Sequence, residues 1–555
     1  MKKMKKITAI LLALVLCLAL AACGGNKDEV STGGAEQPAS TGSESTPAAP
    51  GGNAPAATAG ESAVLPGQAI EAPEGAKFAD SIVIQLEMPN TVVDPLHPSG
   101  GGGGQVLVYR CVMDTLISRT IDGDFLPDLA TEWSTDDYQT YHFKLRDDVT
   151  WHNGQKFTAQ DIADTVFVAE RDGVGSNGYE TWRDVKEVNI INDYEVEIVL
   201  NNVNVDFFFL LSLPVGSIVN KAARDADPVM GAMVGTGTYI VTEFASGGDA
   251  MTMVRNENYW GEPAITETIY LRFTPETVAR AIMLENGEAD ICLSVGIEDY
   301  PRFVDNPDYT IYYYIHILGW VLYMNDQNPI TGDINFRKAV AYALNFDDIA
   351  IAATGDWAVS TTDGALWGYG TEFRNTDVPK LKQDVELAKQ YLADSNYDGS
   401  EVQIMAGIPP NISCQDLIAE QLAAIGIKTS LFNTDNSIII SMDQFTPETQ
   451  MINGVAPFSL SAVSCRNMFL PTGGANRGKY TNQQVIDLLA TAPSILDAKE
   501  REAVYKQVQQ LVFDDYTQLS MFYRAKPITA LSSIGGIITS SDDSHDFRYV
   551  FKVLD

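Results

Sequence analysis

Five histidines, six cysteines and the motifs around them decide which chemistries this 555-residue chain supports. His97, His142, His152, His316 and His545 stand far apart, and none makes the close-spaced pair that places two imidazoles on one metal. No metal and no cofactor is expected. Catalytic patterns are missing too: there is no G-x-S-x-G elbow, no H-E-x-x-H helix and no Walker loop. Asp and Glu pairs abound by composition alone and nominate no glycosidase. Gly100 to Gly104 is a run of five glycines without the Lys of a phosphate cradle, and it reads as a flexible loop. The chain is expected not to be an enzyme.

The thiols point elsewhere. Cys111, Cys292, Cys414 and Cys465 are widely separated with no C-x-x-C spacing, so buried free thiols are expected, with one long-range disulfide as the alternative. Cys17 and Cys23 belong to the leader. Met1-Lys2-Lys3-Met4-Lys5-Lys6 is a basic start, and Ile7 to Ala22 is a nearly pure apolar run. Sixteen helical residues reach roughly 24 Å, short of a comfortable bilayer span, which describes a secretory signal over residues 1–22. The run ends Leu20-Ala21-Ala22-Cys23-Gly24, which resembles a lipobox, where the Cys thiol accepts a diacylglyceryl group. Each buried methylene of an acyl chain contributes roughly 0.8 kcal/mol, so two or three chains give a durable anchor at Cys23. Residues 23–76 are rich in Gly, Ala, Ser, Thr and Pro, bury little apolar surface and form a flexible leash.

Charge limits the partners. The chain has 37 Lys+Arg against 73 Asp+Glu, a formal net charge of −36. Losing the leader's four lysines takes the remainder to −40. Such a surface repels phosphate backbones, so no nucleic acid is expected, and it repels anionic lipid headgroups. No D-x-[DN]-x-[DN]-G calcium loop accompanies it. The charge either keeps the protein soluble or draws cationic solutes.

From Phe78 onward, strand and helix patterns alternate, the mark of an α/β architecture. Ser81-Ile82-Val83-Ile84-Gln85-Leu86 alternates as a strand and enters the Pro- and Gly-rich loop Pro89 to Gly104. Thr158 caps a helix with Asp161 as its capping-box partner and Ile162, Val166 and Phe167 on the buried side. Thr274-Pro275 opens another helix, which Gly287 ends. Further helices are read at 335–345, 385–395, 415–425, 482–491 and 498–514, and strands at 428–432 and 519–523. No repeat of 20 to 50 residues recurs.

The residues now resemble a family. Val93-Asp94-Pro95 precedes Tyr109 and the run Asp122-Gly123-Asp124-Phe125-Leu126-Pro127-Asp128-Leu129-Ala130-Thr131-Glu132-Trp133. Then come Tyr141 to Gly154, Phe157-Thr158-Ala159-Gln160-Asp161, Val234-Gly235-Thr236-Gly237-Thr238-Tyr239 and Arg255-Asn256-Glu257-Asn258-Tyr259-Trp260. Asn286-Gly287-Glu288-Ala289-Asp290, Asn325 and Phe336 to Leu344 complete the series. From about Phe78 to the C-terminus this is similar to the extracellular solute-binding proteins (family 5) of the oligopeptide, dipeptide and nickel ABC importers. Physically these blocks read as scaffold. Lys144 to Asn153 reads as a hairpin, and Gly235 and Gly237 as a tight turn needing positive φ.

The resemblance implies a two-lobed periplasmic-binding-protein-like fold (type II, large cluster with an extra subdomain) and a ligand cleft between the lobes. By analogy, residues 77–312 form lobe I with the subdomain at about 110–230, residues 313–525 form lobe II, and 526–555 return to lobe I. Peptide-binding relatives meet the peptide's α-ammonium group with an acid that follows a Gly-Trp pair. Here Gly454 replaces the Trp and Pro457 the acid, so that contact is lost. Asp164 stands where relatives present Tyr or Phe, either a relocated cation reader or a solvated helix residue. The expected cleft lining is Asn90, Thr91, Tyr259, Trp260, Trp320, Tyr323, Trp357, Asn453, Gly454, Arg466, Tyr523 and Arg524. Aromatic walls supply contact area, while Asn and Arg fix orientation or meet a carboxylate.

The function implied is a lipid-anchored binding component that closes two lobes on a peptide or other small solute and delivers it to ABC permease subunits served by a separate ATPase. It would work as a monomer on the extracytoplasmic face of the cell membrane, the exterior of a Gram-positive cell. Alternatives are a peptide-signal sensor on the same fold and a secreted surface hydrolase.

Overall fold

The computed structural model describes residues 63–64 and 70–554, apart from 101–102, 121–123, 177, 297, 360–362, 435–438, 440–447, 458–459 and 472–474. The signal segment, Cys23 and the leash up to residue 62 lie outside the described residues. All architecture below belongs to the unit Gly52–Asp555.

One long mixed sheet runs through both halves. Its strand order is Tyr239–Phe244, Ala250–Arg255, Thr268–Phe273, Ser81–Leu86, Ile291–Cys292, Gln518–Leu531, Gly319–Met324, Met451–Ala456, Glu401–Ala406 and Lys428–Asn433. Ser81–Leu86 forms because its alternation puts Ile82, Ile84 and Leu86 on one face, where they join Leu107, Tyr109, Met253, Leu271 and Ile528 in a buried cluster. Each such aliphatic side chain, fully buried, gains roughly 1.5–3 kcal/mol. In the second half, Leu322, Phe336, Val340, Ile404, Leu422 and Met451 form one core. Val321, Trp367, Phe469, Tyr505 and Val512 form another on the opposite side of its sheet.

The strand Gln518–Leu531 joins the halves. Its start pairs antiparallel with Gly319–Met324, with a register shift between Trp320 and Val321. Its end pairs with Tyr309–Ile315. The chain crosses first at 316–318, between those two partner strands, and returns along Gln518–Leu531.

A separate antiparallel sheet, in the order Ala130–Ser134, Thr140–Leu145, Glu195–Leu200 and Val185–Asn192, has its own core of Tyr141, Phe143, Trp151, Phe157, Ile162, Trp182 and Phe207. The helix Ala159–Asp172 packs on it. The expected capping box is present, with Asp161 accepting from the Thr158 N–H at 2.8 Å.

Several local expectations change. Residues 144–153 do not form a hairpin; Thr140–Leu145 pairs instead with the strands on either side of it. Phe167 is 49% exposed, lying beneath the cations of Arg171 and Lys221. Gly235 and Gly237 do not have positive φ. They are needed because the backbone passes so close that a Cβ on Gly235 would sit 1.8 Å from the Val112 carbonyl oxygen. The glycine run is not all loop, since Gly103–Val112 is a helix. Pro275 lies outside its helix, Thr277–Glu285, although Gly287 does supply the left-handed residue that ends it (φ +71°). Cys111, Cys292, Cys414 and Cys465 are buried and no disulfide joins any two of them, so the disulfide alternative falls.

Candidate functional site

Where the halves meet, the sheet carries charges inside an apolar frame. Glu87 follows the strand Ser81–Leu86, and Lys526 sits within the crossing strand, 5% exposed. The Lys526 Nζ donates to Glu87 Oε2 at 2.8 Å and to Asp543 Oδ2 at 2.9 Å. Asp543 also accepts from the Tyr314 hydroxyl at 2.6 Å and lies 3.0 Å from His316 Nε2. Burial raises the Asp543 carboxyl, yet Lys526 and then His316 outweigh it and hold the group well below the usual carboxylate range. Glu87 is likewise lowered, because Lys526 and Arg524 together overcome its burial. Burial lowers His545, behind this group, to about 4 against the pull of Asp543, so it stays neutral at physiological pH. Asp543 has φ +63°, a conformation costing about 1–3 kcal/mol that its dense hydrogen bonding offsets.

Beside this locked group lies a less saturated surface. The Arg524 guanidinium stands 5.7 Å above the Trp320 ring and 3.8 Å from Glu87 Oε1, and its Nε has no partner. Trp320 stacks on Phe522 at 5.2 Å with its indole N–H unpaired. Trp357, from the second half, meets Tyr300, from the first, edge-on at 5.7 Å; the Trp357 indole N–H and the Tyr300 hydroxyl are also unpaired.

A second group spans the same junction. The Val205 N–H donates to the Pro493 carbonyl across it at 3.4 Å. Asp206, next to Val205, interacts electrostatically with Arg501 and Arg466 of the other half, and Glu372 with Asp206, Arg501 and Arg119. The Asp206 Oδ2 and Arg501 Nε are buried without partners. The chain's acidity does not continue into the junction, where carboxylates and cations are close to balanced.

The expected lining residues divide. Trp320, Trp357, Arg524 and Arg466 gather at the junction. Tyr323 is fully buried and donates to the Val455 carbonyl at 3.2 Å, and Tyr523 is fully buried and donates to Trp367 at 3.0 Å. Asn453 exchanges hydrogen bonds with Asn411 (2.7 and 2.8 Å), which leaves its amide committed inside the second half, and Gly454 follows it in the same buried strand. Tyr259 and Trp260 turn toward Asp114, to which the Trp260 indole donates at 3.0 Å. Asn90 is buried, its N–H on the Gly248 carbonyl, while Thr91 is exposed. Asp164 accepts from Gln160 one helical turn away. Among the described residues no cluster of His, Cys, Asp and Glu could hold a metal.

Sequence reasoning missed Glu87, Lys526, Asp543, Tyr300, Asp206, Glu372 and Arg501. One signal was readable: a Lys inside the apolar strand Leu519 to Leu531 must find a counter-charge in the fold. Asp206 and Glu372 gave none, because each looks like any other acid in a chain rich in them.

A family model, bacterial extracellular solute-binding proteins, family 5 Middle, matches residues 124–470. The chain is 24% identical over 479 residues to the nickel-binding periplasmic protein of Escherichia coli, covering 80% of this chain and 90% of that one. It is 22% identical over 489 residues to the dipeptide-binding protein of the same organism, covering 80% and 89%. Among solved structures, the ABC transporter substrate-binding protein CtaP of Listeria monocytogenes superposes with a TM-score of 0.75 at 20% identity, covering 86% of this chain and all of that one.

Proposed function

Because this chain belongs to the bacterial extracellular solute-binding proteins of family 5, we propose that it is the capture component of an ABC importer, binding a peptide or peptide-like solute between its two lobes. The boundaries we assign are 77–312 with 526–555 for one lobe and 313–525 for the other. Closure on a ligand that touches both lobes is a population shift driven by those contacts.

One observation carries the ligand class. Among the buried side-chain atoms of the described residues, the junction offers unpaired donors on Trp320, Trp357, Arg524 and Arg501 against one unpaired carboxylate oxygen, on Asp206. A buried unpaired donor costs roughly 1–3 kcal/mol, so a ligand rich in acceptors gains by meeting them. Carbonyls and carboxylates of a peptide or peptide-like acid do so, and indole faces add area at little entropic cost. With Pro457 exposed in place of an acid, the ligand's carboxylate end rather than its amine supplies the main polar contact.

The signal segment and Cys23 support anchoring by lipid on the extracytoplasmic face, the folded lobes held off the membrane by the leash. Delivery to permease subunits with a separate ATPase follows from the role. The test is native mass spectrometry of the undenatured protein together with thermal shift against a pool of short peptides, with nickel in a carboxylate chelator as a parallel arm. A bound peptide mass and a stabilisation near 2.7 kcal/mol at about a hundredfold excess over Kd are expected. Absence of both in the peptide arm would overturn the peptide reading.

A further inference from the structure

The first-half sheet has a second face, away from its buried cluster. In Ser81–Leu86, Ile82, Ile84 and Leu86 join that cluster, so Val83 and Gln85 stand on the opposite face. Register sets Cys292 beside Gln85 on one side and Arg272 on the other, with Tyr270 beside Val83. Neighbouring strands run about 4.8 Å apart, so these side chains are close neighbours. The helix Thr277–Glu285 packs Ala281 and Leu284 with Cys292. The strip with Gln85, Arg272 and Tyr270 forms instead the floor of a recess of about 460 Å³, walled by Met283 and rimmed by Asp249 and Glu288, both exposed. None of the junction side chains described above lines it. Three donors here lack a good acceptor. Gln85 is fully buried; its Nε2 leans on the Met283 Sδ at 3.5 Å, and its Oε1 has no partner. The Thr274 hydroxyl turns to the same sulfur at 3.7 Å. A thioether is a weak acceptor, and a methionine side chain is flexible enough to give way. Arg272 spends Nη1 on the carbonyls of Leu271 (2.8 Å) and Met251 (3.1 Å), and its guanidinium lies 5.2 Å from the Tyr270 ring centre. Among the described residues it forms no ion pair, in a chain with 73 acids.

We propose that this recess is a second solute site, outside the interlobe junction, which takes a free α-amino acid as its zwitterion. The solute carboxylate accepts from Arg272, from the Thr274 hydroxyl and from Gln85 Nε2, replacing the Met283 sulfur with a charged acceptor. The adjacent ammonium group donates to Gln85 Oε1 and is drawn by the rim carboxylates of Asp249 and Glu288. The solute side chain lies along Val83, Phe273 and the Tyr270 ring. The order of charges decides the class. A simple anion meets two carboxylates before it reaches Arg272, and a simple cation meets a guanidinium at the floor. A solute carrying both signs side by side complements both. The volume falls within the roughly 300–1,000 Å³ of small-molecule sites.

The experiment is a saturation-transfer NMR titration of the full chain bearing Cys23→Ala. L-leucine is the probe, with L-leucinamide lacking the carboxylate and 4-methylpentanoate lacking the amine. Leucine should bind, and each of the other two should bind at least tenfold more weakly. Arg272→Gln should weaken leucine by about ten- to a hundredfold, the loss of one charge-assisted hydrogen bond, whereas Arg524→Gln should leave it unchanged. Asp249→Asn combined with Glu288→Gln should weaken leucine and tighten 4-methylpentanoate. Circular dichroism establishes that each variant is folded; should Arg272→Gln fail, the exposed double variant carries the test alone. No leucine signal from the wild-type recess, unchanged affinity in a folded recess variant, or binding lost in Arg524→Gln overturns the site. Arg524 belongs to the junction and Arg272 to the recess, so failure here leaves the interlobe reading standing, and failure to find a peptide there leaves this result intact.

Discussion

Replacing Lys526 by Met probes the junction most directly. The ammonium is buried between Glu87 (2.8 Å) and Asp543 (2.9 Å), and Met has similar length without the charge. Removing one member of a buried ion pair costs about 3–5 kcal/mol, because the partner is left charged and dehydrated. Glu87 retains Arg524 at 3.8 Å, so the penalty falls mainly on Asp543, which keeps only His316, His545 and Tyr314. Urea unfolding at pH 7.5 should therefore show a loss of about 3–5 kcal/mol. The pH dependence then identifies the cause. In the wild type the Asp543 carboxyl is held below its unfolded value, so its stabilising share is present above that value and disappears only in stronger acid. In Lys526→Met, burial is no longer outweighed and the carboxyl takes a proton in mild acid, so the penalty at pH 4.5 should shrink to about 1–2 kcal/mol. Adding Asp543→Asn should recover at least half of the loss at pH 7.5, the coupling expected of contacting residues. A loss under about 1 kcal/mol, or an equal loss at both pH values, would refute the assignment of Lys526 as the charge that holds the junction together.

Four further outcomes are expected. Asp128 accepts from the Thr115 hydroxyl at 2.9 Å, and burial followed by Asp114 raises its carboxyl to about 7. The folded chain thus keeps a proton that the unfolded chain loses above roughly pH 4, and wild-type stability falls as pH rises toward 7. Asp128→Asn should accordingly gain in melting temperature relative to wild type at pH 8 compared with pH 5, and an equal difference at both would contradict this. Gly235→Ala places a Cβ 1.8 Å from the Val112 carbonyl and should cost at least about 3 kcal/mol or abolish folding; a melting temperature within a degree or two of wild type would remove the close-approach argument. Arg524→Gln should weaken the co-purifying solute by about ten- to a hundredfold in calorimetry, the loss of one charge-assisted hydrogen bond, with unchanged affinity counting against Arg524 as a ligand contact. Cys23→Ala should release the protein from membranes in fractionation, and continued acylation would end the lipobox assignment.

Much of the scaffold was legible because it rests on local chemistry. The Thr158–Asp161 capping box forms as read, since it depends on residues three apart. Ser81–Leu86 pairs with its alternation intact, since the two faces of a strand are set by a period of two. Gly235 was singled out correctly for a different reason: a turn needs positive φ locally, whereas the contact with Val112 links residues 123 apart in the chain and no spacing announces it. The site fared less well. Trp320 and Arg524 reach the junction, while Tyr323 and Tyr523, from the same two strands, are fully buried with their hydroxyls on carbonyls.

Sequence alone determined the α/β architecture and, through many ordered motifs, the family. These follow from composition, short spacings and periodicity, which act between near neighbours. Only tertiary structure decided which charges matter. A chain of net charge −36 could have lined its cleft with acid. Instead, distant segments bring Lys526 to Glu87 and Asp543, because a charge withdrawn from water is tolerated only beside its opposite. That pairing is a property of three-dimensional proximity, and proximity between residues 87 and 526 is written in no local pattern.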